Sequence, residues 1–121
     1  MRKWLSSTRY AISGLALLFR TERNARIELA AAIIVLIAGV WLQLSIIEIC
    51  IVLLCIGSVL AAEALNSAIE RMADFQHPGI HPEIKHIKDI AAGAVLVTAI
   101  ISFVVGVLIF GPPVMGRMGL I

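Results

Sequence analysis

The chain has 121 residues, 60% of them hydrophobic and 15% charged, with a formal net charge of +2. Its mean hydropathy is +1.00. A soluble domain of this size keeps too large a surface fraction to hide that much apolar side chain, so lipid is the expected solvent. The small net charge and the lack of any RNA- or DNA-binding motif exclude a nucleic-acid role. One domain spanning 1–121, with about three membrane-spanning helices, fits the length.

Residues 1–27 read as an amphipathic segment lying in the membrane interface. Trp4, Leu5, Ile12, Leu15, Ala16 and Phe19 supply its apolar side, and Arg2, Lys3, Arg9, Arg20, Arg23 and Arg26 its cationic flanks. So many charges, with no apolar core of signal type, argue against a signal peptide. The first span is expected at about 28–44. Its apolar core, Leu29 to Leu42, makes roughly 21 Å of helix, short for a hydrocarbon layer of about 30 Å. Trp41 suits the outer interface.

Gln43-Leu44-Ser45 predicts a tight turn, and a second span follows at about 46–74. Cys50 and Cys55 lie within it, point in different directions on a helix, and read as small hydrophobes, not as a disulfide. His77-Pro78-Gly79-Ile80-His81-Pro82 breaks the helix. The third span is expected at about 88–110, its start falling between Glu83 and Lys88. Gly111-Pro112-Pro113 is expected to end it, with the last residues frayed.

Nine of the ten Lys and Arg lie in the N-terminal segment or around the 71–88 loop, and only Arg117 falls beyond. The positive-inside rule therefore puts the N-terminus and the 75–87 loop in the cytoplasm. Small residues recur every four positions, at Ala94, Thr98, Ser102 and Gly106, and again at Gly57 and Ala61, as at close helix contacts. Three helices alone shelter several carboxylates poorly, so a homo-oligomer is expected.

The run Ala62-Glu63-Ala64-Leu65-Asn66-Ser67-Ala68-Ile69-Glu70-Arg71-Met72-Ala73-Asp74 carries the chemistry. At about 100° per residue, positions 63, 66, 67, 70 and 74 share one stripe. Charge where a helix leaves the bilayer is costly and marks function by default. Glu63 lies about 10 Å deeper than Glu70 along the helix axis, at the depth where a lipid alcohol presents its hydroxyl. It can accept that proton as general base; the structural alternative is a neutral Glu63 hydrogen-bonded to Asn66 or a neighbouring helix. Glu70 and Glu22 are candidate magnesium ligands, with nucleotide phosphates completing the shell. Alternatively Glu22 pairs with Arg23 or Arg26. Lys88 can meet phosphate charge and Asp89 can orient it or bind ribose; alternatively Lys88 snorkels and Asp89 favours a helix N-terminus. The spacing of His77, His81 and His86 does not suit zinc, and a nucleotide contact by His81 fits better. No Walker A loop, protein-kinase set, nucleophile elbow or H-E-x-x-H motif occurs.

Glu63-Ala64-Leu65-Asn66-Ser67-Ala68-Ile69-Glu70, followed by Asp74 and by Lys88-Asp89-Ile90-Ala91-Ala92-Gly93-Ala94, resembles the small integral-membrane lipid kinases of bacteria. That family contains the prokaryotic diacylglycerol kinases and undecaprenol kinases, and the likeness runs from Tyr10 to about Gly111. It implies an all-α homotrimer in the bacterial inner membrane. Each protomer would have a surface helix and three transmembrane helices, with active sites shared between subunits. The implied reaction moves the γ-phosphoryl group of ATP, with Mg2+, onto the hydroxyl of diacylglycerol or undecaprenol.

Position by position, the resemblance makes Glu63 the base and Glu22 and Glu70 the metal ligands. It sets Asn66 near the transferred group, Tyr10, His81, Lys88 and Asp89 on the nucleotide, and Asp74 as a further acid of the site. Lys3 stands where the diacylglycerol kinases carry a basic residue. Ile80 departs from the family's usual tyrosine. Glu28 occupies a position that is glutamate or histidine among relatives and stays outside the core site. Glu22-Arg23-Asn24 and His81-Pro82 look more like the undecaprenol-kinase branch. The reading from another class is a small multidrug or ion transporter with a membrane-embedded glutamate, whose acid belongs near the midplane.

Overall fold

The computed structural model describes residues 2–121. Among them the chain forms four helices: α1 (Arg2–Thr21), α2 (Arg23–Trp41), α3 (Ile46–Gln76) and α4 (Pro82–Arg117). The last three are long and apolar enough to cross a membrane. α3 and α4 pack side by side most extensively, α2 lies on α3, and α1 touches α2 and α3. Large apolar side chains such as Ile34, Ile37, Leu54, Phe103 and Leu108 stand exposed, which only lipid or another chain can cover.

The N-terminal segment is shorter than the sequence suggests. α1 stops at Thr21, and α2 begins at Arg23 instead of residue 28. The break is at Glu22, whose backbone is extended (φ −105°, ψ 113°). Arg26 holds the elbow: its guanidinium donates to the carbonyls of Phe19 and Arg20, both at 2.9 Å. A cation capping the carbonyl end of α1 offsets that helix's dipole and removes two orphan acceptors. Arg26, a cationic flank by sequence, is thus a capping residue. Ala25 and Leu18 are buried at the crossing.

α2 ends at Trp41 in a Schellman motif. Gln43 N–H reaches Val40 O and Leu44 N–H reaches Gly39 O, each at 3.0 Å, with Gln43 in the left-handed region at φ 60°. The expected turn is there, closed by a glutamine where glycine is the usual choice. Ser45 then opens α3 with a reciprocal capping box to Glu48. Gly39 lies inside this turn: a Cβ on it would meet Ile49 and Leu44 Cδ1 atoms at 3.1 Å.

α3 runs two residues past the expected end, to Gln76, and His77 leaves the helix as the proline pair dictates. α4 starts at Pro82, the favoured first helical position, six residues before Lys88. It also does not stop at Pro112-Pro113 but continues to Arg117. Two tertiary contacts hold that extra length: the Arg117 guanidinium donates to Trp41 O at 3.3 Å and lies 4.4 Å from its ring centroid. A second Schellman closure, with Gly119 at φ +75°, finishes the helix in place of a frayed end.

The small-residue stripes divide. Ser102 Oγ donates across the α3–α4 seam to Cys55 O at 3.5 Å. Gly57 and Gly106 instead face open space.

Candidate active site

The polar stripe of α3 turns inward, toward the α1–α2 elbow. Glu63 and Ser67, one helical turn apart, are each only 5% exposed. Ser67 Oγ donates to Glu22 Oε1 at 3.1 Å. That bond ties the extended residue of the elbow to the centre of the stripe, so Glu22, 45 positions away in sequence, arrives beside Glu63 and Glu70. Arg71 secures the same junction: it donates to Thr21 Oγ1 at 2.6 Å and lies 3.9 Å from Glu22. Asn66 Nδ2 donates to Glu70 Oε1 at 3.3 Å, which fixes which way the amide faces. Its Oδ1 is buried without a partner.

Glu63 lies within electrostatic range of both Glu22 and Glu70, and Glu28 within range of Glu63. Four carboxylates thus gather where α2 and α3 meet the elbow. Concentrated negative charge of this kind calls for a cation or proton donors. Among the described residues no three His, Cys, Asp or Glu side chains form a complete metal cage. Magnesium does not need one: it is commonly held by one or two carboxylates, with phosphate and water oxygens filling the octahedron. The carboxylates of Glu22 and Glu70 are hard oxygen donors and fit that ion.

Asp74 and Lys88 form an ion pair across the 77–81 loop. The expected nucleotide contacts Lys88 and Asp74 are therefore neighbours, one at the end of α3 and one in the second turn of α4. Asp89 is directed elsewhere, to Lys85 at 2.6 Å on an exposed face. His81 caps its own helix, its Nδ1 accepting from Glu83 N–H at 3.1 Å, and stacks edge-on against His77 at 5.2 Å. Tyr10 stands exposed on α1. Within the chain, then, Glu22, Glu63, Asn66 and Glu70 converge, Asp74 and Lys88 form their own pair, and Tyr10, His81 and Asp89 do not join them.

The sequence shows Ser67 as a stripe member and Glu22 as a candidate ligand but not that the two meet. Arg71, by sequence one more positive-inside charge, secures their junction. Glu28 carries a buried Oε2 with no partner. It lies at one end of an apolar groove of about 560 Å3 between α2, α3 and α4. Only the packing of α2 on α3 reveals that position.

A family model described as prokaryotic diacylglycerol kinase matches residues 9–110. The chain is 50% identical over 93 residues to a protein named undecaprenol kinase from Bacillus subtilis, covering 77% of this chain and 76% of that relative. It is 36% identical over 115 residues to one named diacylglycerol kinase from Synechocystis sp., covering 94% of this chain and 66% of that longer relative. The match takes in the elbow, the stripe and the Asp74–Lys88 pair together, and the chain belongs to the prokaryotic diacylglycerol kinase family.

Proposed function

We propose that this chain, as one lipid kinase domain, transfers the γ-phosphoryl group of ATP to the hydroxyl of a membrane lipid, diacylglycerol or undecaprenol. The observation that carries the reading is Glu63, buried in an apolar helix yet within electrostatic range of Glu22 and Glu70, with Asn66 and Ser67 on the same stripe. Phosphoryl transfer needs positioning and charge stabilisation more than covalent chemistry. Glu63 accepts the proton of the attacking hydroxyl. Glu22 and Glu70 would hold Mg2+, which when bound offsets phosphate charge. Asn66 sits near the transferred group, and Lys88 balances charge on the nucleotide. Asp74 orients Lys88, while Tyr10, His81 and Asp89 are the further nucleotide contacts.

Depth supports the kinase over the transporter. Glu63 is 17 residues from the start of α3 at Ile46. That is about 25 Å along the helix, near the far boundary of a hydrocarbon layer of about 30 Å and not at its middle. With the positive-inside orientation this boundary faces the cytoplasm, where ATP is, in the bacterial inner membrane. The scatter of Tyr10, His81 and Asp89 about one protomer favours a homotrimer with shared sites. α1 would lie as an amphipathic helix on the membrane surface.

The test is side-by-side incubation of the purified protein with radiolabelled ATP, Mg2+ and each lipid alcohol in micelles. Label should appear in phosphatidic acid or undecaprenyl phosphate. If neither lipid is labelled by protein that is folded and assembled, the kinase reading is wrong.

A further inference from the structure

Glu22 differs from the other acids of the site in what holds it. Glu63 and Glu70 stand on α3, where the helix sets the direction of each side chain. Glu22 lies in the elbow with an extended backbone, so no helix aims its carboxylate. Two residues of α3, one turn apart on the same face, take that part. Ser67 Oγ donates to Glu22 Oε1 at 3.1 Å, and the Arg71 guanidinium lies 3.9 Å from the same oxygen. Both contacts fall on Oε1, which leaves Oε2 for a ligand.

The Arg71–Glu22 approach is longer than a charge-assisted hydrogen bond of about 2.7–2.9 Å. The Arg71 side chain is also half exposed, so charge alone holds Glu22 weakly. The short bond of Arg71 goes to Thr21 Oγ1, at 2.6 Å. Thr21 in turn donates to Leu17 O at 2.8 Å. Two hydrogen bonds in series thus fasten the last turn of α1 to α3, and they do so through the residue that precedes Glu22.

We infer that Arg71 is a positioning residue for the metal ligand Glu22: through Thr21 it pins the elbow, so that Ser67 takes one carboxylate oxygen and Oε2 is left for the divalent cation. The inference rests on the kinase reading, in which Glu22 and Glu70 hold Mg2+, and gives a role to a residue which that reading does not use. Glu70 shows the same division, its Oε1 accepting from Asn66. Partners that orient a metal ligand without touching the metal typically change affinity or activity by about 10- to 100-fold. Arg71 also repels a divalent cation, so its two effects have opposite signs. Removing the guanidinium relieves repulsion but frees the ligand. Solvent screening at a half-exposed side chain makes the repulsion the smaller effect.

The test is Mn2+ binding to the assembled full-length protein in micelles, with β,γ-imido-ATP and no lipid alcohol, read from the free-ion signal in electron paramagnetic resonance. Arg71→Met should raise the Mn2+ dissociation constant about tenfold. Thr21→Val, which keeps the guanidinium and removes its acceptor, should do the same. In a Glu22→Gln background Arg71→Met should cause no further loss, since Arg71 acts through that carboxylate. Unchanged or tighter binding in Arg71→Met, or in Thr21→Val should Arg71→Met fail to assemble, would overturn the inference while leaving Glu22 a ligand. A further loss in the Glu22→Gln background would also overturn it, because Arg71 would then meet the nucleotide directly. Absence of Mn2+ binding by the unaltered protein would remove the metal reading and the inference together. Tenfold weaker binding in both variants of a protein that phosphorylates neither lipid would support Arg71 and remove the kinase.

Discussion

Glu63 is buried on a stripe whose other polar members are already engaged. Ser67 binds Glu22, Asn66 binds Glu70, and the carboxylate between them keeps no hydrogen-bond partner of its own among the described residues. The base proposed for the reaction needs a free lone pair to take a proton, and a carboxylate without a hydrogen-bond donor meets that need. Glu63→Gln preserves shape and removes the charge. Turnover should drop by about 10²- to 10⁴-fold, while size-exclusion chromatography in detergent shows unchanged assembly. Full activity would remove Glu63 as base. Glu70→Ala takes away a hard oxygen donor and the acceptor for Asn66. The magnesium concentration for half-maximal turnover should rise by about 10- to 100-fold, or turnover should vanish. A magnesium titration that superimposes on that of the unaltered protein rejects the ligand role.

At the scale of elements, the helix ends set where the site residues stand. Arg26 satisfies the last carbonyls of α1 at the elbow, which brings Glu22 of the N-terminal segment to Ser67 in the C-terminal half of α3. At the opposite end, the α2–α3 turn brings Ile49 and Leu44 Cδ1 to within 3.1 Å of where a Cβ on Gly39 would stand. Gly39→Val drives a branched side chain into Ile49 and Leu44. It should destabilise the fold by about 1–3 kcal/mol, seen as an earlier midpoint in denaturant titration of the micellar protein. The same titration on Gly57→Ala should show little change, since a Cβ there meets nothing within 4 Å.

For the molecule as a whole, the exposed apolar faces are left for lipid or another chain to cover, and Tyr10, His81 and Asp89 stand apart from the carboxylate row. If sites are shared between subunits, mixing an inactive Glu63→Gln chain with an inactive Asp89→Ala chain should restore part of the activity. That recovery would appear in ATP turnover after the two are dissociated and reassembled together. Absence of recovery in verified mixed oligomers would count against shared sites. The sequence by itself determined the membrane solvent, the three spans, the breaking loop at 77–81, and the stripe of Glu63, Asn66, Ser67 and Glu70. All of these follow from local hydropathy, proline chemistry and the helical repeat. Only the tertiary structure decided that Glu22 meets that stripe, that Glu28 heads an apolar groove, and that α4 outlasts Pro112-Pro113 through Arg117 on Trp41. Each depends on contacts between distant segments: packing selects one of many possible helix ends and pairings, and no local pattern carries that choice.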